Sequence, residues 1–292
     1  RGLSNLVEFL FMRDNPKKTI ILLSILPWDF FIDYYRELAV SLSAYETVIF
    51  VHPGEPINIY RNFCNAPQMR HLFFSFRSYW CELVVYTPFT LLPFTKYSLI
   101  RRLNEVLMRV FLRLLISIKS IGRRKFLIVT YPFEESIIKQ FQVDKTIYDC
   151  IDYPGSGVHS GDDILMKKRH EHLVEMADVV CVNTEAFKPL CSRAKRLVKI
   201  PVGYPLSKFQ GKTYFPTPNS LHSVSRPLVG FVGYTFVRMD IRLLLSVAAK
   251  NRDMSFIFIG PLVGDLRHSN VSRQKIREFY HLWKRFSSLS NV

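Results

Sequence analysis

Residues 226–261 read RPLVGFVGYTFVRMDIRLLLSVAAKNRDMSFIFIGP. The unbroken apolar run Leu228 to Val232 suits a parallel strand covered on both faces, because such strands lack the in–out alternation of half-exposed ones. A glycine-containing turn, a helix-spaced segment and a second apolar run ending in Gly260-Pro261 follow it. Strand, turn, helix and strand in that order make half of a nucleotide-binding layer, and the turn after the first strand is where open α/β sheets place ligands. Gly230 and Gly233 would let a backbone approach a ligand closely, or serve only turn geometry and strand–helix packing. Arg238 and Asp240 stand where the helix begins. A helix N-terminus beside a guanidinium suits a phosphate group.

Upstream of this unit the same alternation recurs. Apolar strand patterns fall at Lys18 to Ile25, Glu46 to His52, Phe126 to Thr130, Thr146 to Ile151, Val179 to Asn183 and Val198 to Pro201, with further strand-like runs at Leu72 to Phe76 and Glu82 to Tyr86. Helical spacing covers Asp33 to Ser43, Glu134 to Phe141, Asp162 to Met176 and Glu185 to Ala194. This βαβα order implies a mostly parallel, doubly wound sheet. Lys208 to Arg226 is rich in Gly, Pro, Ser, Thr and Asn and has almost no apolar period. The expected organisation is therefore an N-terminal Rossmann-like domain over 1–209, a linker over 210–226 and a second domain over 227–292. The second shows only two clear strands, too few for an independent α/β layer, so it is expected to be truncated.

The strongest helical period lies between Tyr97 and Lys119, where Leu99, Leu103, Val106, Val110, Leu114 and Ile118 recur with Leu107, Phe111 and Leu115 beside them. Arg101, Glu105, Arg109 and Arg113 follow one another at four-residue steps on the other face. Between Lys96 and Lys125 the basic residues face a single acid, Glu105. Two readings fit: a core helix packed on the sheet, or a surface element with its basic face toward anionic lipid.

The whole chain of 292 residues carries a formal charge of +16, which favours an anionic partner. Interleaved aromatic and basic residues or a known reading module would indicate nucleic acid, and neither occurs, so no nucleic-acid partner is expected. Hydrophobic residues make up 48%, enough for a packed core. No apolar run approaches the roughly 20 residues that cross a bilayer. The five cysteines form no C-x-x-C pair and suit buried free thiols in a reducing compartment.

Asp149 and Asp152, at the carboxyl end of the strand Thr146 to Ile151, are the candidate catalytic carboxylates. Three residues apart at a strand-to-loop transition, they could act together on a hydroxyl or ribose. The competing assignment makes one a turn cap and the other an ion-pair partner. His170-Glu171-His172 does not suit a metal, since residues two apart on a helix face different ways. No metal site is expected. Neither G-x-G-x-x-G, G-x-x-x-x-G-K-[ST] nor G-x-S-x-G occurs, which argues against dinucleotide, P-loop and nucleophile-elbow chemistry.

The series YDCID (148–152), HEHLVEMADVVCVNTEAF (170–187), KIPVGYPLSKF (199–209), RPLVGFVGYTFVRMDIRLLLSVA (226–248) and SFIFIGPL (255–262) resembles the group 4 type glycosyltransferases of the GT-B fold. Within that group it is most similar to the teichuronic acid and capsule branch. The resemblance covers most of 19–292 and implies two Rossmann-like domains facing across a cleft, the acceptor held by the first and a nucleotide-diphosphate sugar by the second. It implies that Gly233 lies against the donor diphosphate, that Arg238 neutralises it, and that Trp28 and Asp29 border the acceptor. Gly230 and Asp240 complete the expected donor side. The donor is a co-substrate and no cofactor is implied. The acceptor is expected to be lipid-linked or a polysaccharide, with the protein cytoplasmic or peripheral on the inner face of the plasma membrane. Where relatives read P-N-G-V-D, this chain has Pro201-Val202-Gly203-Tyr204-Pro205, and the family's donor-side glutamate pair falls beyond Val292. These departures leave a non-catalytic GT-B-like binding or scaffold protein as the alternative.

Overall fold

The computed structural model describes residues 17–28, 34–52, 57–58, 76–79, 82–86, 88–90, 92, 97–152, 163–203, 216–233, 235, 239–260, 262 and 273–292. The chain divides into two compact units, Arg1–Gly155 with Asp163–Leu206, and Ser156–Asp162 with Ser207–Val292.

The first unit is built on an eight-stranded sheet. In chain order its strands are β1 (Lys18–Leu23), β2 (Thr47–Val51), β4 (Phe76–Tyr79), β5 (Leu83–Tyr86), β7 (Arg124–Val129), β8 (Lys145–Cys150), β9 (Val179–Val182) and β10 (Leu197–Lys199). A separate parallel pair joins β3 (Ile57–Asn58) to β6 (Phe89–Thr90). The spatial order of the large sheet is β10-β9-β8-β7-β1-β2-β5-β4. All its neighbours are parallel except β4, which lies antiparallel on β5. The strand-like run at Leu72 to Phe76 meets the described residues only at Phe76, the first residue of β4.

Fully buried β1 and β2 explain the continuous apolar runs: successive side chains point to opposite faces, and helices cover both. On one face Ile21, Leu23, Leu127 and Val129 pack with α2 (Ser98–Lys119), α3 (Glu135–Lys139) and α4 (Asp163–Met176). On the other, Ile20, Leu22, Phe126 and Ile128 pack with α1 (Tyr34–Ser43). The helix expected over Glu185 to Ala194 is instead two short 3₁₀ turns, Glu185–Phe187 and Pro189–Cys191. Pro189 has no N–H to give a continuing α-helix, and its ring crowds the preceding turn.

In the second unit β11 (Leu228–Val232) and β12 (Ser255–Ile259) form a parallel pair. α5 (Ile241–Lys250) and α6 (Arg273–Ser287) pack beside them. Phe256 is buried, and Phe258 meets Trp283 and Phe286 edge-on. Burial of β11 on both faces does not occur. Gly230, Val232 and Ile259 alternate away from the aromatic cluster and are exposed, Val232 to 77%. Among the described residues, α5 and α6 supply the apolar cover of Phe256 and Phe258 only.

Candidate functional site

The strand order reverses at β1. From there the chain runs outward through β2 and β5, then returns to β7 and runs the other way through β8, β9 and β10. Carboxyl strand ends at such a switch point form the crevice of an open α/β sheet. Here that edge carries Ser24, Thr130, Asp149 and Asn183. Thr130 joins the two strands of the switch, donating from its N–H and its hydroxyl to Leu23 O at 3.2 and 3.0 Å. The hydroxyl of Tyr35 in turn reaches Thr130 O at 3.4 Å.

Asp149 is buried at the end of β8. Burial raises its carboxyl pKa to about 7, and a hydrogen bond from the Tyr34 hydroxyl offsets part of that rise. The same environment pushes the Tyr34 phenol well up, first through burial and then through the neighbouring carboxylate. The Cys181 thiol, one strand over, is raised by burial and by Asp149. Asp152 sits in the bend beyond β8, exposed, and its carbonyl faces the Cys150 thiol at 3.7 Å. One candidate carboxylate thus lies in the protein interior and the other in solvent.

Behind Asp149, Tyr148 and His170 form a buried pair. The phenol meets His170 Nδ1 at 3.0 Å while Nε2 faces Leu190 O at 3.2 Å. Those contacts hold His170 inward, whereas His172 points outward to Glu135 at 3.3 Å, as residues two apart on a helix must. Cys150 and Cys191 are buried free thiols here. A hydrogen bond from Cys150 and contact with His170 pull the Cys191 thiol down.

Trp28 follows β1 at the carboxyl edge, but its side chain is buried. It meets Phe50 edge-on at 5.1 Å and lies under the Arg36 guanidinium at 5.0 Å. Asp29 lies outside the described residues. Two residues that the sequence reading passed over belong to this edge. Tyr34, at the start of α1, holds the Asp149 carboxyl. Asn183 follows β9, donates Nδ2 to Ile151 O at 3.0 Å, and keeps a buried Oδ1 without a hydrogen-bond partner. A polar residue directly after an apolar strand was the available signal for Asn183. None distinguished Tyr34 from its neighbour Tyr35.

In the second unit the geometry concentrates at the ends of β11 and β12. Gly233 has φ +151° and donates its N–H to Ile259 O at 3.0 Å. Gly260 has φ +141°, and a Cβ there would stand 2.0 Å from Gly233 O. No other residue fits that approach without moving the backbone. Gly260, read from sequence only as a strand end, is therefore the more constrained of the two. Gly230 faces open space. Asp240 caps α5, accepting from Leu243 N at 3.0 Å. Its carboxylate occupies one of the free N–H groups of that helix end and adds negative charge there. Arg238 lies outside the described residues.

No protein-family model matches the chain. It is similar to the "Putative teichuronic acid biosynthesis glycosyltransferase TuaH" of Bacillus subtilis strain 168, with 22% identity over 167 residues, 53% of this chain and 41% of that protein. The chain thus spans about two-fifths of the curated relative it matches. Among solved structures, sucrose-phosphate synthase from Thermosynechococcus elongatus aligns over 94% of this chain and 69% of its own, with a TM-score of 0.60 and 15% identity. A looser likeness, TM-score 0.46 and 12% identity, links 93% of the chain to 67% of an α,α-trehalose-phosphate synthase from Burkholderia vietnamiensis. The fold is that of the GT-B glycosyltransferases, with Rossmann-like α/β architecture.

Proposed function

We propose that the protein is a glycosyltransferase that moves a sugar from a nucleotide-diphosphate donor to a lipid-linked or polysaccharide acceptor in cell-surface glycan synthesis, working peripherally at the cytoplasmic face of a membrane. The supporting observation is a likeness to one glycosyltransferase in sequence and to a GT-B enzyme in fold, combined with the close approach of Gly260, after β12, to Gly233, after β11. In this reading the donor diphosphate lies along the bare backbone at Gly233, and Arg238 neutralises it. The chemistry is stabilisation of charge on the departing diphosphate together with positioning of the acceptor hydroxyl. At the carboxyl edge of the first unit, Asp152 is the carboxylate open to an acceptor, while Asp149 acts from the interior.

A ligand that binds only the folded state raises the melting temperature. Thermal melts of the intact protein with a panel of nucleoside diphosphates and nucleotide-sugars are expected to show stabilisation by at least one base, reduced in Gly260→Val relative to wild type. Stabilisation without any sugar transfer would favour the scaffold alternative. No stabilisation by any member of the panel would remove the donor site.

A further inference from the structure

The face of α2 that meets the sheet is not the one with the strongest apolar period. Asn104, Met108, Leu112 and Ile116 are buried at four-residue steps. Leu99, Leu103, Val106, Val110, Leu114 and Ile118 stand in solvent, five of them more than half exposed. On the helical wheel these side chains form one contiguous stripe, and Arg102, Arg109 and Arg113 run along one edge of it. All three arginines are exposed. Ile121, in the turn after the helix, extends the apolar surface at 77% exposure. A soluble monomer rarely leaves so long an apolar strip uncovered, and such a strip marks a binding surface.

Charge identifies the occupant. A second copy docked across a two-fold axis would bring the same arginine edge toward itself, and Glu105, the acid within the helix, already pairs with Arg109 at 3.7 Å. An anionic bilayer instead offers hydrocarbon to the stripe and phosphate to the arginines. We infer that α2 lies in the surface of an anionic phospholipid membrane, with the stripe from Leu99 to Ile118 immersed and Arg102, Arg109 and Arg113 on the headgroups.

This deepens the reading of a lipid-linked acceptor and rests on it for its purpose. The C-terminal end of α2 lies at the amino edge of the sheet, where Lys119 O accepts from the Thr19 hydroxyl at 2.9 Å. Met108 O accepts from the hydroxyl of Tyr86, the last residue of β5, at 3.1 Å. The first turns of α2 therefore run past the carboxyl edge of the sheet, the edge that also carries Asp149, whose side chain meets α1 on the opposite face. A helix anchored there holds the acceptor crevice beside the membrane.

The test is flotation of the intact protein with vesicles of phosphatidylcholine alone and with roughly a third phosphatidylglycerol, at low and high salt. Recovery on anionic vesicles is expected to fall as salt rises. It should drop at least tenfold in Val106→Glu/Val110→Glu, and roughly fivefold for each of Arg102→Gln and Arg113→Gln. All these positions are exposed, and melts matching wild type exclude unfolding. Equal recovery on neutral and anionic vesicles, or recovery unchanged in Val106→Glu/Val110→Glu, overturns the inference. So does a sedimenting dimer that dissociates in that double variant, which would assign the stripe to a second copy. Flotation needs no donor, so a failure here with nucleotide stabilisation intact removes the membrane surface and leaves the donor reading standing.

Discussion

Asp149 joins a structural cost to a chemical opportunity. Its folded pKa of about 7 lies above the ordinary carboxylate value of 3.8, so the folded state binds more protons than the unfolded one between those limits. Stability from this group is full below about pH 4 and is lost as pH rises through about 7, a change on the order of 4 kcal/mol. Asp149→Asn should therefore flatten the pH dependence of urea stability over that window and exceed wild type at pH 8. A mutant curve parallel to wild type would mean that Asp149 is solvated in the folded protein. The pair Lys18 and Glu46 behaves differently. Both side chains are buried, the ions stand 3.6 Å apart, and Lys18 N–H also donates to Glu46 at 2.8 Å. Glu46→Ala breaks this buried ion pair and should cost about 3–5 kcal/mol in chemical denaturation, whereas loss of an exposed pair such as Arg193 and Glu175 should change stability little.

At the scale of elements, α2 shows both what a sequence discloses and what it withholds. Its existence and length followed from apolar periodicity, since the expected span Tyr97 to Lys119 differs by one residue from Ser98–Lys119. Its orientation did not, because two apolar stripes compete on one helix and the one that buries contains a polar residue. Asn104 decides the matter. It accepts from Leu92 N at 2.8 Å and donates to Leu92 O at 3.1 Å and Ile100 O at 3.2 Å, so it is buried with its polar atoms matched and ties the preceding loop to the helix. Asn104→Leu should destabilise the unit by about 1–3 kcal/mol, because the Leu92 groups lose their partner. Hydrogen exchange should quicken at Leu92 more than in β1, and equal protection at Leu92 would show that the loop is held by other contacts. The Glu185 to Ala194 segment teaches a related lesson. Its residues have helical spacing, but Pro189 carries more weight than the period.

For the whole molecule, the doubly wound sheet was legible because buried parallel strands are apolar throughout and alternate with helices, a pattern that few other architectures produce. The candidate site was legible only in part. Strand-end glycines and carboxylates announce a crevice, but whether a carboxylate is buried, as Asp149 is, or exposed, as Asp152 is, depends on neighbours such as Tyr34 brought in from a distant helix. Gly260 was hidden for the same reason, since its requirement arises from a second strand at Gly233. The central claim concerns sugar transfer, and the most direct measurement follows labelled sugar from a nucleotide-diphosphate donor into a membrane-lipid or polysaccharide fraction, comparing the intact protein with Arg238→Ala. The account predicts donor-dependent incorporation that falls roughly 30- to 1000-fold in a folded Arg238→Ala protein, because one charge-assisted contact to the departing diphosphate is worth on the order of 2–4 kcal/mol in a water-poor site. Incorporation at the wild-type rate in that variant, or none with any donor in the wild-type protein, would contradict it.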